Sequence, residues 1–388
     1  MPRSTPSSQN NTFDYAAFVR ALATWFALSQ RDLPWRQAEN ARDAYRVLVS
    51  EVMLQQTTVK AVVPFYNRFL TRFPDLQTLA KATIEDVLPL WAGLGYYSRA
   101  RMLHRCAQEI VSKHGGVFPA ELDRVLDLPG IGRYTAGAVT SIAFGAKSPI
   151  VDANVARVFS RLFLIDGDLK SGANQKTLWR RATQVVESCD ESAPPPVVNP
   201  AMMELGALVC TPRAPRCQAC PVQSFCGAFK THRQNELPFI APKRQSVELR
   251  DVCAFATRES STGNGEVLLR QRAHDEKLWW RGMWELPRVT CRENEDAAQA
   301  LKRLFGDELQ TAPKLINVQS LLKTVQHGVT HHKITLECWK VELPDNLETS
   351  SAQWFEWDEL GHLALPSSMK SLLAWLRKHR ENEQKVLF

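Results

Sequence analysis

The sequence predicts a two-domain chain, an all-α domain followed by an α+β domain, and three features predict it. Tyr45, Leu48, Val49, Val52 and Met53 fall on one helical face, and Val155, Val158, Phe159, Leu162 and Phe163 recur at the spacing of a buried helix. From Val252 to Thr257 and from Val267 to Arg270 the pattern changes to strand-like alternation. Between the two regimes, from about Gly227 to Val247, the chain is polar and holds Pro238 and Pro242, the composition of a linker. A length of 388 residues allows two cores, and 44% hydrophobic with 23% charged residues excludes disordered and collagen-like classes.

The elements follow in order. Residues 1–12 are polar, with no apolar stretch of a secretory signal, and are expected to be a disordered tail. Phe13 to Leu28 reads as a helix, closed by the loop holding Leu33-Pro34-Trp35-Arg36. On the next helix Glu51 lies at the edge of the apolar face, half out of water; partial burial raises a carboxyl pKa, as a general acid near neutral pH requires. The ordinary alternative for such a residue is a solvated helix-face glutamate. Trp91 to Arg101 mixes glycines, arginines and the adjacent Tyr96 and Tyr97, a composition suited to stacking on a base, although aromatic residues more often fill cores.

Pro129-Gly130-Ile131-Gly132 cannot be helical, so it joins two helices tightly, and its glycines leave backbone N–H groups uncovered. Such a turn opening a helix is a seat for phosphate. Asp152 is placed as N-cap of the helix after it; the helix N-terminus holds a carboxylate ionised, so Asp152 is either a simple cap or an outward-aimed anion. Cys210, Cys217, Cys220 and Cys226 are spaced C-x6-C-x2-C-x5-C. Only one pair is C-x2-C, so the two-pair layout of a zinc ribbon is missing, and four thiolates in one short loop suit a [4Fe–4S] cluster. Arg213 and Arg216 sit in the first gap and are expected to face phosphate, with a solvated charged loop as the plain alternative. Nine cysteines, an odd count, fit a reducing compartment rather than a disulfide framework.

Leu128-Pro-Gly-Ile-Gly132, Tyr134-Thr-Ala-Gly137, Val151-Asp152 and the cysteine spacing together resemble the helix-hairpin-helix and aspartate signature of the endonuclease III superfamily of DNA glycosylases. Tyr134 stands where endonuclease III carries its lysine nucleophile, which points to the adenine glycosylase (MutY) branch. Ser50-Glu51-Val-Met-Leu-Gln-Gln-Thr57 resembles the catalytic helix of that branch. The resemblance, over roughly residues 13 to 380, implies a monofunctional enzyme that hydrolyses the N-glycosidic bond of adenine mispaired with 8-oxoguanine or guanine in base excision repair.

By the same resemblance Glu51 protonates adenine at N7, Asp152 stabilises the sugar cation, and Tyr134 and Asn154 hold the anion and the sugar phosphate. Arg36, Gln55, Gln56, Thr57, Tyr96, Gly130, Gly132, Arg213 and Arg216 are expected to contact DNA, with Gln56 as the likelier wedge into the gap left by the flipped base and Tyr96 intercalating beside it. One [4Fe–4S] cluster is the implied cofactor. The glycosylase domain is placed at 13–226, the linker at 227–247 and the second domain at 248–388.

The second domain shows a turn at Ser260 to Gly265, a helix from Ala297 to Phe305, strands from Thr330 to Val341 and near Trp354, and a helix opening at Ser367. With Trp284-Glu-Leu-Pro287 it resembles the Nudix-like domain of adenine glycosylases. The carboxylate box that Nudix hydrolases use to hold metal is absent: the helix after Gly282 reads Ala-Gln-Ala-Leu-Lys-Arg-Leu-Phe. The domain is therefore expected to read a lesion and to cut nothing. Val325-Gln-His-Gly-Val-Thr-His331 matches the family's Phe-Ser-His loop, which assigns lesion recognition to Thr330 and His331 and leaves Val329 without the usual ring. Ala44 and Ala153 also depart from the family's proline and glycine.

A lyase acting on oxidised pyrimidines would want lysine at position 134 and no second domain; a non-catalytic DNA-binding protein would have lost Glu51 or Asp152. The expected partner is mismatched double-stranded DNA, in keeping with a net charge of +7 and a pI near 8.9. No run of eighteen apolar residues exists to cross a membrane. A monomer in the cytoplasm of a bacterium, associated with its nucleoid, is expected.

Overall fold

The computed structural model describes residues 13–37, 40–239, 246–260, 264–273, 279–309, 316–344 and 351–386. The expected N-terminal tail, Pro242 of the expected linker and residues 261–263 of the expected turn lie outside them. The described residues form two compact units. One holds the chain up to Ala82 and from Arg101 to Phe239; the other holds Thr83–Ala100 and the chain from Ser246 onward. Among the described residues no helix is long and apolar enough to cross a membrane.

The first unit is all α. In chain order the helices are α1 (Tyr15–Ser29), α2 (Ala44–Leu54), α3 (Val59–Arg72), α4 (Leu76–Lys81), α5 (Ile84–Trp91), α6 (Ser98–Lys113), α7 (Leu122–Leu126), α8 (Arg133–Phe144), α9 (Ala153–Phe163), α10 (Gly172–Glu187) and α11 (Pro195–Leu208), of which α5 and the first residues of α6 belong to the other unit. Side-chain caps start many of them. Asp43 accepts from the Arg46 N–H at 3.0 Å and opens α2, and Asp152 accepts from the Val155 N–H at 2.7 Å and opens α9. Each such cap stabilises its helix by about 1 kcal/mol.

One core joins Phe18 and Leu22 of α1, Val155, Val158, Phe159 and Leu162 of α9, Val185 of α10, and Met202 and Leu205 of α11. The periodic residues of α9 are thus the ones that bury. Small residues let α8 approach closely: a Cβ on Gly137 would lie 2.2 Å from the Pro149 carbonyl oxygen. Past α11 the cysteine loop packs against the same core and ends in a short helix, α12 (Gly227–Lys230), inside the stretch expected to be linker.

The second unit is built on two four-stranded sheets. Its strands are β1 (Val247–Phe255), β2 (Thr257–Arg258), β3 (Glu266–Gln271), β4 (Trp284–Glu285), β5 (Arg288–Thr290), β6 (Asn317–Val329), β7 (His332–Glu342) and β8 (Ala352–Glu356), with α13 (Ala297–Arg303) and α14 (Ser367–Val386). One sheet has the order β5-β1-β7-β6; in the other β3 lies beside β2, β4 and β8. β1 pairs parallel with β7, Val247 opposite His332 through Phe255 opposite Lys340.

Alternation along β1 divides the core. Val252 and Ala254 pack with Ala300 and Leu301 of α13, whereas Cys253 and Phe255 pack with Met369, Leu372 and Leu376 of α14. Two sequence expectations change here. The strand read from Val252 to Thr257 breaks at Ala256 and continues in the other sheet. The stretch before Thr330, read as a loop, is the long strand β6, which a two-residue turn joins to β7.

Candidate active site

Glu51 occupies the last turns of α2 and is 5% exposed, deeper than the half-buried edge position its spacing implies. Burial outweighs every other influence and pushes its carboxyl up to about 7. The nearby Asp152 charge pushes the same way; the Tyr134 hydroxyl and Arg36 pull back. The Tyr134 O–H donates to Glu51 Oε2 at 2.5 Å and lies 3.2 Å from Met203 Sδ. Since α8 opens at Arg133, the hairpin turn itself delivers Tyr134 to Glu51.

Asp152 accepts at one oxygen from the Val155 N–H and at the other from Asn154 Nδ2 at 3.0 Å. Its net shift is upward, opposite to what an N-cap alone implies, because burial outweighs these donors and Arg157. Arg157 donates to Asn154 Oδ1 at 2.8 Å, to the Gly206 carbonyl at 2.7 Å and to the Cys210 carbonyl at 2.8 Å. Arg161, one turn on, donates to the Thr211 carbonyl and to Cys210 Sγ at 3.2 Å. Two buried arginines of α9 therefore tie the cysteine loop to the helix that presents Asp152.

Glu51, Tyr134, Asp152, Asn154, Arg36, Gln55, Gln56 and Thr57 all line one cavity of about 970 Å³ in the first unit. Sequence reasoning missed two of its wall residues. Glu204 of α11 is buried and receives a bidentate bond from Arg31 (2.8 and 2.7 Å) and a third from Arg36 Nη2 at 3.0 Å. Burial alone would raise its carboxyl, but the two guanidiniums hold it down at about 2. The available signal was a lone acid, the only charged residue of the helix Pro195–Leu208. Arg36 is thus turned inward onto Glu204 and over the Phe26 ring.

Around the cavity, Gln55 donates to Thr135 Oγ1 at 3.3 Å, and exposed Gln56, two residues past the end of α2, has φ +56°, a conformation few non-glycine residues adopt. In the hairpin Gly130 and Gly132 are both exposed, but only Gly130 is sterically required. Its φ is +75° and a Cβ there would meet Met102 Cβ at 2.4 Å, while Gly132 has φ −95° and open space. No side chain caps α8, which leaves its first N–H groups for an anion.

Cys210, Cys217, Cys220 and Cys226 are reduced and half-buried. Burial raises the thiols of Cys217, Cys220 and Cys226, and Cys210 pushes each of them the same way. Among the described residues no three metal-ligating side chains converge on a single ion. A cluster that gives each thiolate its own iron makes no such demand, and these four cysteines fit it. Arg213 is exposed in this loop, whereas Arg216 folds back to donate to the Leu208 carbonyl at 3.0 Å through Nε.

The second unit carries the remaining predicted residues. Tyr96 is 46% exposed with φ +48°, beside Arg99, whose guanidinium lies 5.5 Å from its ring. Thr330 and His331 are the exposed tip of the β6–β7 hairpin; Thr330 has φ +55° and its Oγ1 donates to the Val329 carbonyl at 2.7 Å.

Three family signatures match the chain: "HhH-GPD superfamily base excision DNA repair protein" at residues 49–184, "Iron-sulfur binding domain of endonuclease III" at 210–226 and "NUDIX domain" at 260–375. The chain carries the [4Fe–4S] cluster of that loop. Among solved structures, a thermostable thymine-DNA glycosylase superposes with a TM-score of 0.49 at 30% identity, over 56% of this chain and 97% of that one. The adenine DNA glycosylase of Mus musculus is 35% identical, covering 96% of this chain and 80% of its own length. That of Homo sapiens is 35% identical over 92% of this chain and 74% of its own. With such identity along nearly its whole length, and with the hairpin, the cysteine loop and the Nudix-like unit all in place, the chain belongs to the adenine DNA glycosylase family.

Proposed function

We propose that this enzyme removes adenine mispaired with 8-oxoguanine, and with guanine, from double-stranded DNA. The observation that carries the reading is Glu51: a buried carboxyl with a pKa near 7, held by Tyr134 in a cavity roomy enough for a flipped base. At neutral pH a large share of Glu51 is protonated, so it donates its proton to N7 of adenine as the glycosidic bond breaks. The leaving base departs neutral and the sugar is left with positive charge. Asp152, fixed by the Val155 N–H and Asn154, stabilises that charge as a carboxylate before water completes hydrolysis. Tyr134 orients the acid, and Asn154 orients the anion.

The polar wall of Arg31, Arg36 and Glu204 supplies fixed partners for the edge of a base. Gln56 fills the gap in the stack, and Gly130, Gly132, Tyr96 and Arg213 hold the strand. When bound, the iron–sulfur cluster serves as the tie that orders residues 210–226. Because adenine is a normal base, selectivity comes from the opposite strand. Thr330 and His331, at the hairpin tip, offer a hydroxyl and an imidazole to the altered edge of 8-oxoguanine.

The test is incubation with a duplex holding one adenine opposite 8-oxoguanine, followed by alkali to reveal abasic sites. Adenine release with no covalent adduct on borohydride treatment is expected, since Tyr134 has no amine to form a Schiff base. Substantial trapping would move the chain to the lyase reading.

A further inference from the structure

The hairpin tip that reads the opposite base is not an isolated turn. Four rings run in series behind it. His331 lies 4.0 Å from His332, His332 meets Trp279 edge-on at 4.8 Å, Trp279 meets Trp280 at 5.8 Å, and Trp280 meets His327 of β6 at 5.8 Å. At its inner end Trp280 covers the guanidinium of Arg288, which is 3% exposed and bonded to buried Asp251 at 2.6 Å. The ladder thus begins on a rigid buried ion pair and ends on an exposed imidazole. It has something to hold: Thr330 sits at φ +55° without being glycine, a conformation that persists only where surrounding contacts enforce it. The residue at the base of the tip, Val329, is aliphatic and half-buried and contributes no ring of its own.

We propose that Trp279 is a specificity-determining positioning residue, which through its edge-on contact with His332 fixes the Thr330–His331 tip and so sets the preference for 8-oxoguanine over guanine opposite adenine. This rests on the reading of the tip given above. The residue acts on where the hydroxyl and imidazole sit, not on the chemistry at Glu51. An aromatic pair of this geometry is worth about two- to tenfold in an equilibrium beyond its buried area.

The experiment compares the intact protein with Trp279→Ala, Trp279→Phe, His332→Ala, the Trp279→Ala/His332→Ala double variant and a Thr330→Ala/His331→Ala variant. kcat and KM are measured on duplexes with adenine opposite 8-oxoguanine and opposite guanine. Trp279→Ala is expected to lower the preference about two- to tenfold, through KM on the 8-oxoguanine duplex. Trp279→Phe restores it, and the losses from Trp279→Ala and His332→Ala are less than additive. A variant that misfolds would lose kcat on both duplexes alike and would not be rescued selectively by phenylalanine; that pattern counts against the proposal. If Thr330→Ala/His331→Ala loses the preference and Trp279→Ala keeps it, the ladder plays no part and the tip reading survives. If Thr330→Ala/His331→Ala keeps the full preference, the tip reading fails and this inference falls with it.

Discussion

Replacing Tyr134 by phenylalanine removes the larger of the two influences, the other being Arg36, that keep Glu51 within reach of neutral pH. In the wild type, burial drives the carboxyl from 4.5 up to about 7, and the Tyr134 hydroxyl opposes that rise by donating to the ionised form at 2.5 Å. A hydrogen bond to a charged group contributes about 1.5–3 kcal/mol, or about one to two pKa units at 1.36 kcal/mol per unit. Its loss should move the Glu51 transition from about 7 to about 8–9. The active form is the protonated acid, so kcat/KM is high below the transition and falls about tenfold per pH unit above it. An acid limb should appear as well, where Asp152 takes up a proton; burial raises that carboxyl above its ordinary value, so the limb sits higher than for a solvated aspartate. The assay is adenine release under kcat/KM conditions from pH 5 to 10. Tyr134→Phe is expected to lose rate at its plateau, because nothing then orients the acid, yet to hold that plateau further into base. A basic limb that stays put or moves down would refute the assignment of Glu51 as the titrating acid.

The geometry of the same site and of the cysteine loop sets three further expectations. Glu51→Gln should abolish excision while raising stability at pH 8: with the folded pKa above the unfolded one, the cost is absent below 4.5, grows between 4.5 and about 7 and is full above it, about 3 kcal/mol, so the gain in Tm should vanish at pH 4.5. Gly206→Ala should cut activity sharply with less loss of fold, since its Cβ would lie 2.6 Å from Asn154 Cβ and push the partner of Asp152 aside; normal activity would show that α11 yields instead. The purified protein should be yellow-brown with about four irons per chain, and Cys217→Ser should weaken DNA binding; zinc in place of iron on metal analysis would defeat the cluster assignment.

The helices that carry chemistry were legible in the sequence because a strong local signal marks each of them. Apolar periodicity with an N-cap gives α9 and Asp152 to the residue. Cysteine spacing gives the metal loop, and Pro-Gly-Ile-Gly gives the hairpin. Glu204 was not legible, since its meaning lies in two arginines 173 and 168 residues away in the chain. The depth of Glu51 was underestimated because helix position shows which face a residue takes and not what covers that face. β6 was missed for a different reason. Much of it is polar and half-exposed, its Leu321 is 46% exposed, and irregular register near Val318–Lys323 breaks the alternation that marks a strand.

The parallel pairing of β1 with β7 has a consequence for how this chain can be shortened. β1 ends at Phe255 and its partner ends only at Glu342, so the sheet closes late in synthesis. A premature stop between these points would not simply delete the proposed lesion-reading hairpin. It would strand β1, with five consecutive buried residues from Asp251 to Phe255, as an open edge available to other chains. Nonsense changes between Phe255 and Glu342 are therefore expected to be worse for solubility than a stop at residue 242, which removes β1 and all the strands that follow it, even though they leave more of the protein in place.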